Sequence, residues 1–274
     1  MYALVDADII CYRCGFAAQR THYRLPNVDV EFSSAAECKT FCQNTGIDYS
    51  TKQPFAIIEP VENALHNVKT VLEDIIEQCE VGEGQMELWL SGPTNFRDSI
   101  GITRQYKGNR DPDHKPAWYK EIKDYLVDVW GAEYSDNCEA DDMLAIKSCT
   151  ENCIIVSTDK DLNQVEGWHY NWVTRKKYFV DKEGANYNFW FQMITGDPTD
   201  NIQGIPGMGD AKAVKFLDSL DPSEWELAVV NLYAESYPDT HRDVFLEHYK
   251  LIKLGEVPKK SDEIADISQT DTTS

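Results

Sequence analysis

Short apolar segments that end in acids alternate with segments of helical periodicity, and this alternation constrains the fold most. The chain opens with MYALVDAD, continues to MELWLS, and reaches CIIVS, which two further acids follow. Apolar runs of roughly four to eight residues between amphipathic stretches predict strands joined by crossover helices. We therefore predict an α/β fold with a mostly parallel central sheet flanked by helices.

The periodicity also predicts how the chain is divided. We assign residues 1–185 to the sheet-containing core, with an insertion at about 19–58 where periodicity is weak and a basic, loop-rich segment at about 92–130. Residues 186–257 read as a helical module interrupted by glycines. Residues 258–274 are polar and acidic without periodicity, which predicts a disordered tail.

Composition limits the partners and the compartment. The chain has 47 Asp and Glu against 26 Lys and Arg, a net charge of −21 that repels nucleic acid unless the carboxylates hold cations. It has no apolar run of membrane-spanning length and no secretory leader, so we expect no membrane partner. Eight cysteines in such a chain indicate reduced thiols and a cytoplasmic location.

Eight carboxylates fall where strands end or helices begin. Ligands of doubly wound sheets bind beyond the carboxyl ends of the strands, so these positions point to a site. Each pair alone fits a helix cap or a polar turn, but together they suit two Mg²⁺ or Mn²⁺ ions. The predicted metal ligands are Asp6, Glu139, Asp141, Asp142, Asp159, Asp161, Asp197 and Asp200. Asp8 is a weaker candidate for an outer-shell role.

Two further segments carry features that suit phosphate binding. Residues 97–123 hold seven Lys and Arg against four acids, which indicates either a solvated face or a nucleic-acid contact through Arg97, Arg104 and Tyr106. The second segment, GIPGMGDAKA from Gly204, is either a tight helix–helix turn or a phosphodiester grip. The predicted contacts in the second segment are Gly207, Gly209, Lys212 and Lys215.

Four motifs in order resemble the 5′-nuclease, or flap endonuclease, superfamily of phages and bacteria. They are VDADII, YKGNR, EADD followed by STDKDL, and GDPTDNIQGIPGMGDAK, which together run to about residue 217 with 19–85 unmatched. The resemblance implies a PIN-like core and a C-terminal helix-3-turn-helix module, with K⁺ at the glycine turn. It also implies that Lys107 and Arg110 reach the scissile phosphate from a helical arch, and that the eight acids divide equally between two metals.

The resemblance predicts a metal-dependent 5′-3′ exonuclease or flap endonuclease that uses two metal ions. The expected partner is duplex DNA with a 5′ end or flap, or an RNA–DNA hybrid, inside a phage-infected bacterium. One departure is that the chain reads Ser91-Gly92 where the family usually has an acid. Two alternatives stay open: a haloacid-dehalogenase-like phosphatase built on Asp6 and Asp8, and a DNA-binding protein with impaired catalysis.

Overall fold

The computed structural model describes residues 1–101, 103–111, 114–149 and 152–258. Their contacts divide the chain into two compact units. The first comprises Met1–Asp8, Ile75–Pro112 and Gly131–Ser274, and the second comprises Ile9–Asp74 and Asp113–Trp130. The predicted tail at 258–274 lies outside the described residues, apart from Pro258.

Strands and helices alternate along most of the chain. The strands are β1 Tyr2–Asp6, β2 Gln19–Arg24, β3 Glu31–Phe32, β4 Gln53–Ile58, β5 Met86–Leu90, β6 Glu133–Tyr134, β7 Cys153–Val156, β8 Gly167–Asn171 and β9 Lys176–Val180. The α-helices are α1 Ala7–Ala17, α2 Ala35–Thr45, α3 Val61–Cys79, α4 Tyr119–Trp130, α5 Ala140–Ser148, α6 Lys182–Thr195, α7 Asp210–Leu217, α8 Trp225–Ser236 and α9 His241–Ile252.

The first unit contains a six-stranded sheet in the order β6-β5-β1-β7-β8-β9. All neighbouring strands are parallel except β8 and β9, which form an antiparallel hairpin. Helix α5 packs on this sheet through a core that includes Leu4, Leu144 and Ile155. The prediction of a mostly parallel α/β sheet is confirmed. Because β1 and β7 are parallel neighbours, the acids that follow them meet at one edge of the sheet.

Helices α6 to α9 share a second core in the same unit. Its buried members include Phe189, Met193, Leu217 and Tyr233, with Trp225 packed against Tyr187. The division by contacts leaves these helices in one unit with the sheet. That residues 186–257 act as a separate duplex-binding module therefore stays a prediction.

The second unit contains the stretch predicted as an insertion. It forms a three-stranded antiparallel sheet in the order β3-β2-β4, with a small core of Leu25, Phe32, Cys38 and Cys42. Helix α2 begins after Ser34, whose hydroxyl accepts a hydrogen bond from the Glu37 amide.

The described residues include no helix long and apolar enough to span a membrane. All eight cysteines are free thiols.

Candidate functional site

Asp6, Asp159 and Asp161 are linked through the turn that follows β7. The hydroxyl of Ser157 donates to Asp6 Oδ2 at 2.8 Å and accepts from the Asp159 amide at 3.0 Å. Asp159 Oδ1 in turn accepts from the Asp161 amide at 2.9 Å. Ser157 thus joins the end of β1 to the acids after β7, and the turn continues into a short 3-10 helix at Asp161–Gln164.

The EADD motif lies at the start of α5. Glu139 is the N-cap, with extended backbone dihedrals, and its Oε atoms accept from Asn95 Nδ2 at 2.9 Å and from the Tyr106 hydroxyl at 3.0 Å. Acids favour this position because the first helical amides are unpaired and the helix dipole is positive there. The cap explains the local structure, and it leaves Glu139 and Asp141 on the cavity described next.

The loop between α6 and α7 supplies Asp197 and Asp200. Gly196 and Gly204 approach each other backbone to backbone with φ of +70° and +64°, and a Cβ on either would overlap the other's chain. Between them, Asp197 pairs through its backbone with Ile202, and its Oδ1 accepts from the Thr199 amide at 2.7 Å. Glycine at both ends is what closes this loop tightly enough to present two acids.

Six of the eight predicted acids line one cavity of about 120 Å³. They are Glu139, Asp141, Asp159, Asp161, Asp197 and Asp200. Asp6 and Asp142 are buried outside this lining. Within the described residues, no group of three or more His, Cys, Asp or Glu side chains is arranged so that it could hold a metal ion.

Lys107 and Arg110 lie among these acids. Lys107 pairs with Glu139 and lies 3.7 Å from Asp200, and Arg110 pairs with Asp200. Both are in a turn, where Lys107 has a φ of +53° and its amide donates to the Asp200 carbonyl at 2.9 Å. The resemblance implied a helical arch for these residues. The backbone at Lys107–Arg110 is a turn and not a helix, so the helical part of that expectation is wrong. That these two side chains reach a phosphate stays a prediction.

The acids outweigh the cations in this cavity. Burial and the charges of Asp6, Asp159 and Glu139 raise the pKa of Asp141 well above its usual range. Burial and the charges of Asp159 and Asp197 raise the pKa of Asp161 to about 7. All donors are oxygens, which hard divalent ions prefer, and such an ion would supply the missing positive charge. The oxygen atoms and the excess of negative charge suit a hard divalent ion, and that the cavity binds Mg²⁺ or Mn²⁺ stays a prediction.

The structure corrects the predicted roles of Asp142 and Arg97. Asp142 is fully buried and forms a bidentate ion pair with Arg97, with N–O distances of 2.5 and 2.9 Å. Arg97 borders the cavity but is 1% exposed, and Asp142 occupies its guanidinium, so Arg97 is not available to DNA in this conformation. Both carboxylate oxygens of Asp142 already accept hydrogen bonds, so Asp142 is not available as a direct metal ligand in this conformation.

Tyr106 also has a different role from the predicted one. Its ring is buried in the helical core, which excludes stacking on a nucleic-acid base. Its hydroxyl lies 2.8 Å from Asp200 Oδ2 and 3.0 Å from Glu139 Oε2. Burial and these two negative charges raise the pKa of Tyr106, which keeps the phenol protonated as a donor to the acids.

The other predicted DNA contacts are exposed. Arg104, Gly207, Gly209, Lys212 and Lys215 all lie at the surface. Gly207 has a φ of +76°, and its carbonyl accepts from Lys212 Nζ at 2.7 Å. Gly209 caps α7 without a side-chain hydrogen bond. These features agree with a phosphate grip but leave the role a prediction.

Ser91 has a structural role at the position where the family usually has an acid. Its hydroxyl accepts from the Ala140 amide at 3.0 Å, which caps α5, and its own amide donates to Asp8 Oδ2 at 2.8 Å. Asp8 and the exposed Asp98 are both outside the cavity lining. Neither carboxylate takes the place of the missing acid in this conformation.

Sequence reasoning missed several polar side chains that hold the site. Ser157 and Gln192 contact the acids, and Gln192 donates to Asp161. Asn109 Nδ2 donates to the Pro198 carbonyl at 2.7 Å, and Asn201 Nδ2 donates to the Gln105 carbonyl at 2.9 Å. The signal was present, because Ser157, Asn109 and Asn201 lie inside the motifs that were recognised.

Fold and site together define the class of protein. This is an α/β protein in which one cavity is lined by Lys107, Arg110 and six acids. The acids come from the turn after β7, the start of α5 and the glycine-closed loop. No family model matches the chain. Comparison with individual proteins gives a narrower answer.

The chain is 28% identical over 158 residues to the exodeoxyribonuclease of Enterobacteria phage T3, covering 52% of this chain and 51% of that protein. It is 28% identical over 167 residues to the exonuclease of Escherichia phage T7, covering 55% and 54%. Flap endonuclease Xni of Vibrio vulnificus (strain CMCP6) is 24% identical over 230 residues, covering 70% and 79%. The chain is thus similar in sequence to proteins named exodeoxyribonuclease, exonuclease and flap endonuclease, which is the class that its motifs resemble.

The chain spans about half the length of the two phage relatives that it matches. A crystal structure of the bacteriophage T5 flap endonuclease, a pseudo-enzyme-product complex with DNA and metal ions, covers 69% of this chain and 90% of its own at 15% identity. Its TM-score of 0.46 is too low to support an argument about this protein.

Proposed function

We propose that this protein is a metal-dependent 5′-3′ exonuclease or flap endonuclease that hydrolyses phosphodiester bonds of DNA. The observation that carries the proposal is the cavity in which six carboxylates lie beside Lys107 and Arg110. Carboxylates in that number suit a pair of divalent ions, and the two cations suit the phosphate that such ions bind. The net charge of −21 then does not prevent DNA binding, because cations would neutralise the acids that are clustered in the cavity.

The residues that would hold two divalent ions are the six acids of the cavity. Asp6 supports them from behind through Ser157. A divalent ion held there would lower the pKa of a coordinated water and would neutralise charge on the phosphate. No nucleophilic side chain is needed.

Lys107 and Arg110 carry groups that suit both the acids of the cavity and the oxygens of a phosphate. They pair with Glu139 and Asp200, and the same ammonium and guanidinium groups suit phosphate oxygens. The six acids would hold the divalent ions, and Lys107 and Arg110 would contact the scissile phosphate. They then stabilise the charge that develops during hydrolysis.

The helical region would bind the duplex. Helices α6 and α7 with the glycine turn between them act as the helix-turn-helix, and the amides at the start of α7 face a phosphate, with K⁺ at the turn. Lys212 and Lys215 add charge beside those amides. Arg104 contacts a phosphate elsewhere on the duplex or on an RNA–DNA hybrid. Affinity for the nucleic acid should therefore fall as the salt concentration rises.

A phosphatase of the haloacid-dehalogenase type is less well supported. That chemistry needs an aspartate nucleophile open to substrate, whereas Asp6 is 3% exposed and accepts a hydrogen bond from Ser157. Asp8 accepts from the Ser91 amide. Neither lines the acidic cavity.

The test is a cleavage assay on 5′-labelled duplex, 5′-flap and RNA-primed substrates, in Mg²⁺ and in EDTA. We expect cleavage only with the metal, and products that carry a 5′-phosphate. Asp141→Asn should lower turnover by orders of magnitude, whereas the exposed Asp239→Asn should leave it unchanged.

Three results would contradict the proposal. The first is hydrolysis of p-nitrophenyl phosphate without DNA cleavage, which favours the phosphatase. The second is DNA binding without cleavage in Mg²⁺ or Mn²⁺, which favours a protein with impaired catalysis. The third is normal turnover by Asp141→Asn.

A further inference from the structure

The buried ion pair of Arg97 and Asp142 connects two distant parts of the first unit. Arg97 Nε donates to the Leu251 carbonyl and Nη2 to the Lys253 carbonyl, both at 2.9 Å. Asp142 accepts at 3.1 Å from the Glu139 amide and at 3.1 Å from the Gly255 amide. The pair therefore ties the start of α5 to the chain at the end of α9.

We infer that Arg97 and Asp142 are positioning residues for the proposed nuclease site, which the inference presupposes. They hold the first turn of α5 so that Glu139 and Asp141 face the cavity while Asp142 faces away from it. The three acids share one helical turn, so a shift of Asp142 moves the other two. Asp142 acts through this clamp and binds no metal itself.

The geometry supports positioning over a general stabilising role. A guanidinium is a planar fork, and here it meets one carboxylate with two nitrogens while it also reaches two carbonyls. Leu251, Ile252 and Leu254, on the segment that the clamp holds, line the same cavity as the acids. The clamp thus fixes two walls of the site relative to each other.

The test measures Mn²⁺ affinity by calorimetry on the full chain without DNA, together with the Tm and nuclease turnover. The variants are Arg97→Lys, which keeps the charge but loses the fork, Asp142→Asn, and the double variant. We expect each single variant to weaken Mn²⁺ binding by roughly 10- to 100-fold, the range for groups that orient metal ligands. The double variant should bind Mn²⁺ about as tightly as whichever single variant binds it less tightly. The two effects should not add, because each substitution removes the same ion pair.

A matched control is Arg242→Lys, an exposed arginine on α9, which should keep the wild-type Mn²⁺ affinity. A direct ligand would behave differently. Asp142→Asn would then weaken Mn²⁺ binding while Arg97→Lys kept or strengthened it, and that result overturns the inference. A lower Tm with unchanged Mn²⁺ affinity in both single variants overturns it as well.

If Arg97→Lys does not fold, amide hydrogen exchange of Asp142→Asn decides. Faster exchange at the Glu139 and Gly255 amides together with weaker Mn²⁺ binding supports the clamp, and weaker binding with unchanged exchange overturns it. If the wild-type chain binds Mn²⁺ but cuts no DNA, the proposed function is refuted. The positioning role of Arg97 and Asp142 is then decided by the Mn²⁺ affinity and the amide exchange of the variants. A wild-type chain that binds no Mn²⁺ refutes both.

Discussion

Replacing Asp161 with Asn tests whether the acids of the cavity are truly crowded. Asp161 has a pKa of about 7, raised from 3.8 by burial and then by the charges of Asp159 and Asp197. A carboxyl whose pKa is higher in the folded state binds its proton more tightly there. Folding stability is therefore lost as the pH rises from about 3.8 to about 7, and it stays lost above that range.

The magnitude follows from the size of the change in pKa. One pKa unit corresponds to about 1.36 kcal/mol, so ionised Asp161 costs the metal-free protein at most about 4 kcal/mol at pH 8. Asn has a similar shape and cannot ionise. The variant should therefore be more stable than the wild type at pH 8, and the gain should nearly vanish toward pH 4.

The assay is thermal and urea denaturation in EDTA at pH 8 and pH 4.5, repeated at pH 8 with Mg²⁺. We expect Asp161→Asn to raise the metal-free Tm at pH 8 by several degrees and to gain less from Mg²⁺ than the wild type does. Asp239→Asn, which removes an exposed carboxylate, is the matched control. If Asp161→Asn and Asp239→Asn have the same metal-free Tm at pH 8, the crowding argument is refuted.

Three further predictions concern other groups. Lys107→Met should lower kcat by roughly 100- to 1,000-fold with little change in KM, as for one lost electrostatic donor. The exposed Lys177→Met should leave kcat unchanged, and a rise in KM alone for Lys107→Met would contradict the proposed stabilisation of developing charge. Gly207→Val should cost roughly 1–2 kcal/mol of backbone strain at a φ of +76° and weaken duplex binding more than single-strand cleavage, whereas equal losses count against duplex binding. Burial lowers the pKa of His248 below 6.5, so protonation below that pH favours the unfolded chain. The free energy of unfolding in urea should therefore fall less between pH 7.5 and pH 5.5 in His248→Asn than in the wild type, and an equal fall would contradict this.

The parallel sheet and the location of most acids could be predicted from the sequence. The segments that became β1, β5 and β7 are short and apolar because both faces of a central parallel strand are buried. Asp6 ends β1, and Asp159 and Asp161 lie in the turn that follows β7, so these acids meet at one edge once the two strands are parallel neighbours. The grouping of Asp6 with Asp159 and Asp161 therefore follows from strand order alone.

The three-stranded sheet of the second unit could not be predicted in this way. Its strands β2 and β4 alternate weakly, since most residues of β4 are exposed and β2 carries Arg20, His22 and Arg24. A sheet that buries little apolar surface leaves only a faint period-two pattern in its sequence. The small core beneath it depends on Phe32, Cys38 and Cys42, which no local pattern connects.

A different reason explains why the structure gives other roles than predicted to Arg97, Asp142 and Tyr106. It concerns which side chains pair, not the periodicity of the sequence. A motif shows that a residue is ionisable or aromatic, but the side chain that it contacts is set by tertiary structure. Arg97 and Asp142 are 45 positions apart, and their mutual burial is possible only because each satisfies the other's charge. Pairing matters less for the six predicted acids that line one cavity, and their role as metal ligands stays a prediction. These six acids carry the same charge, so the negative charge that they bring to the cavity does not depend on which pairs form, whereas the role of Asp142 depends on its pairing with Arg97.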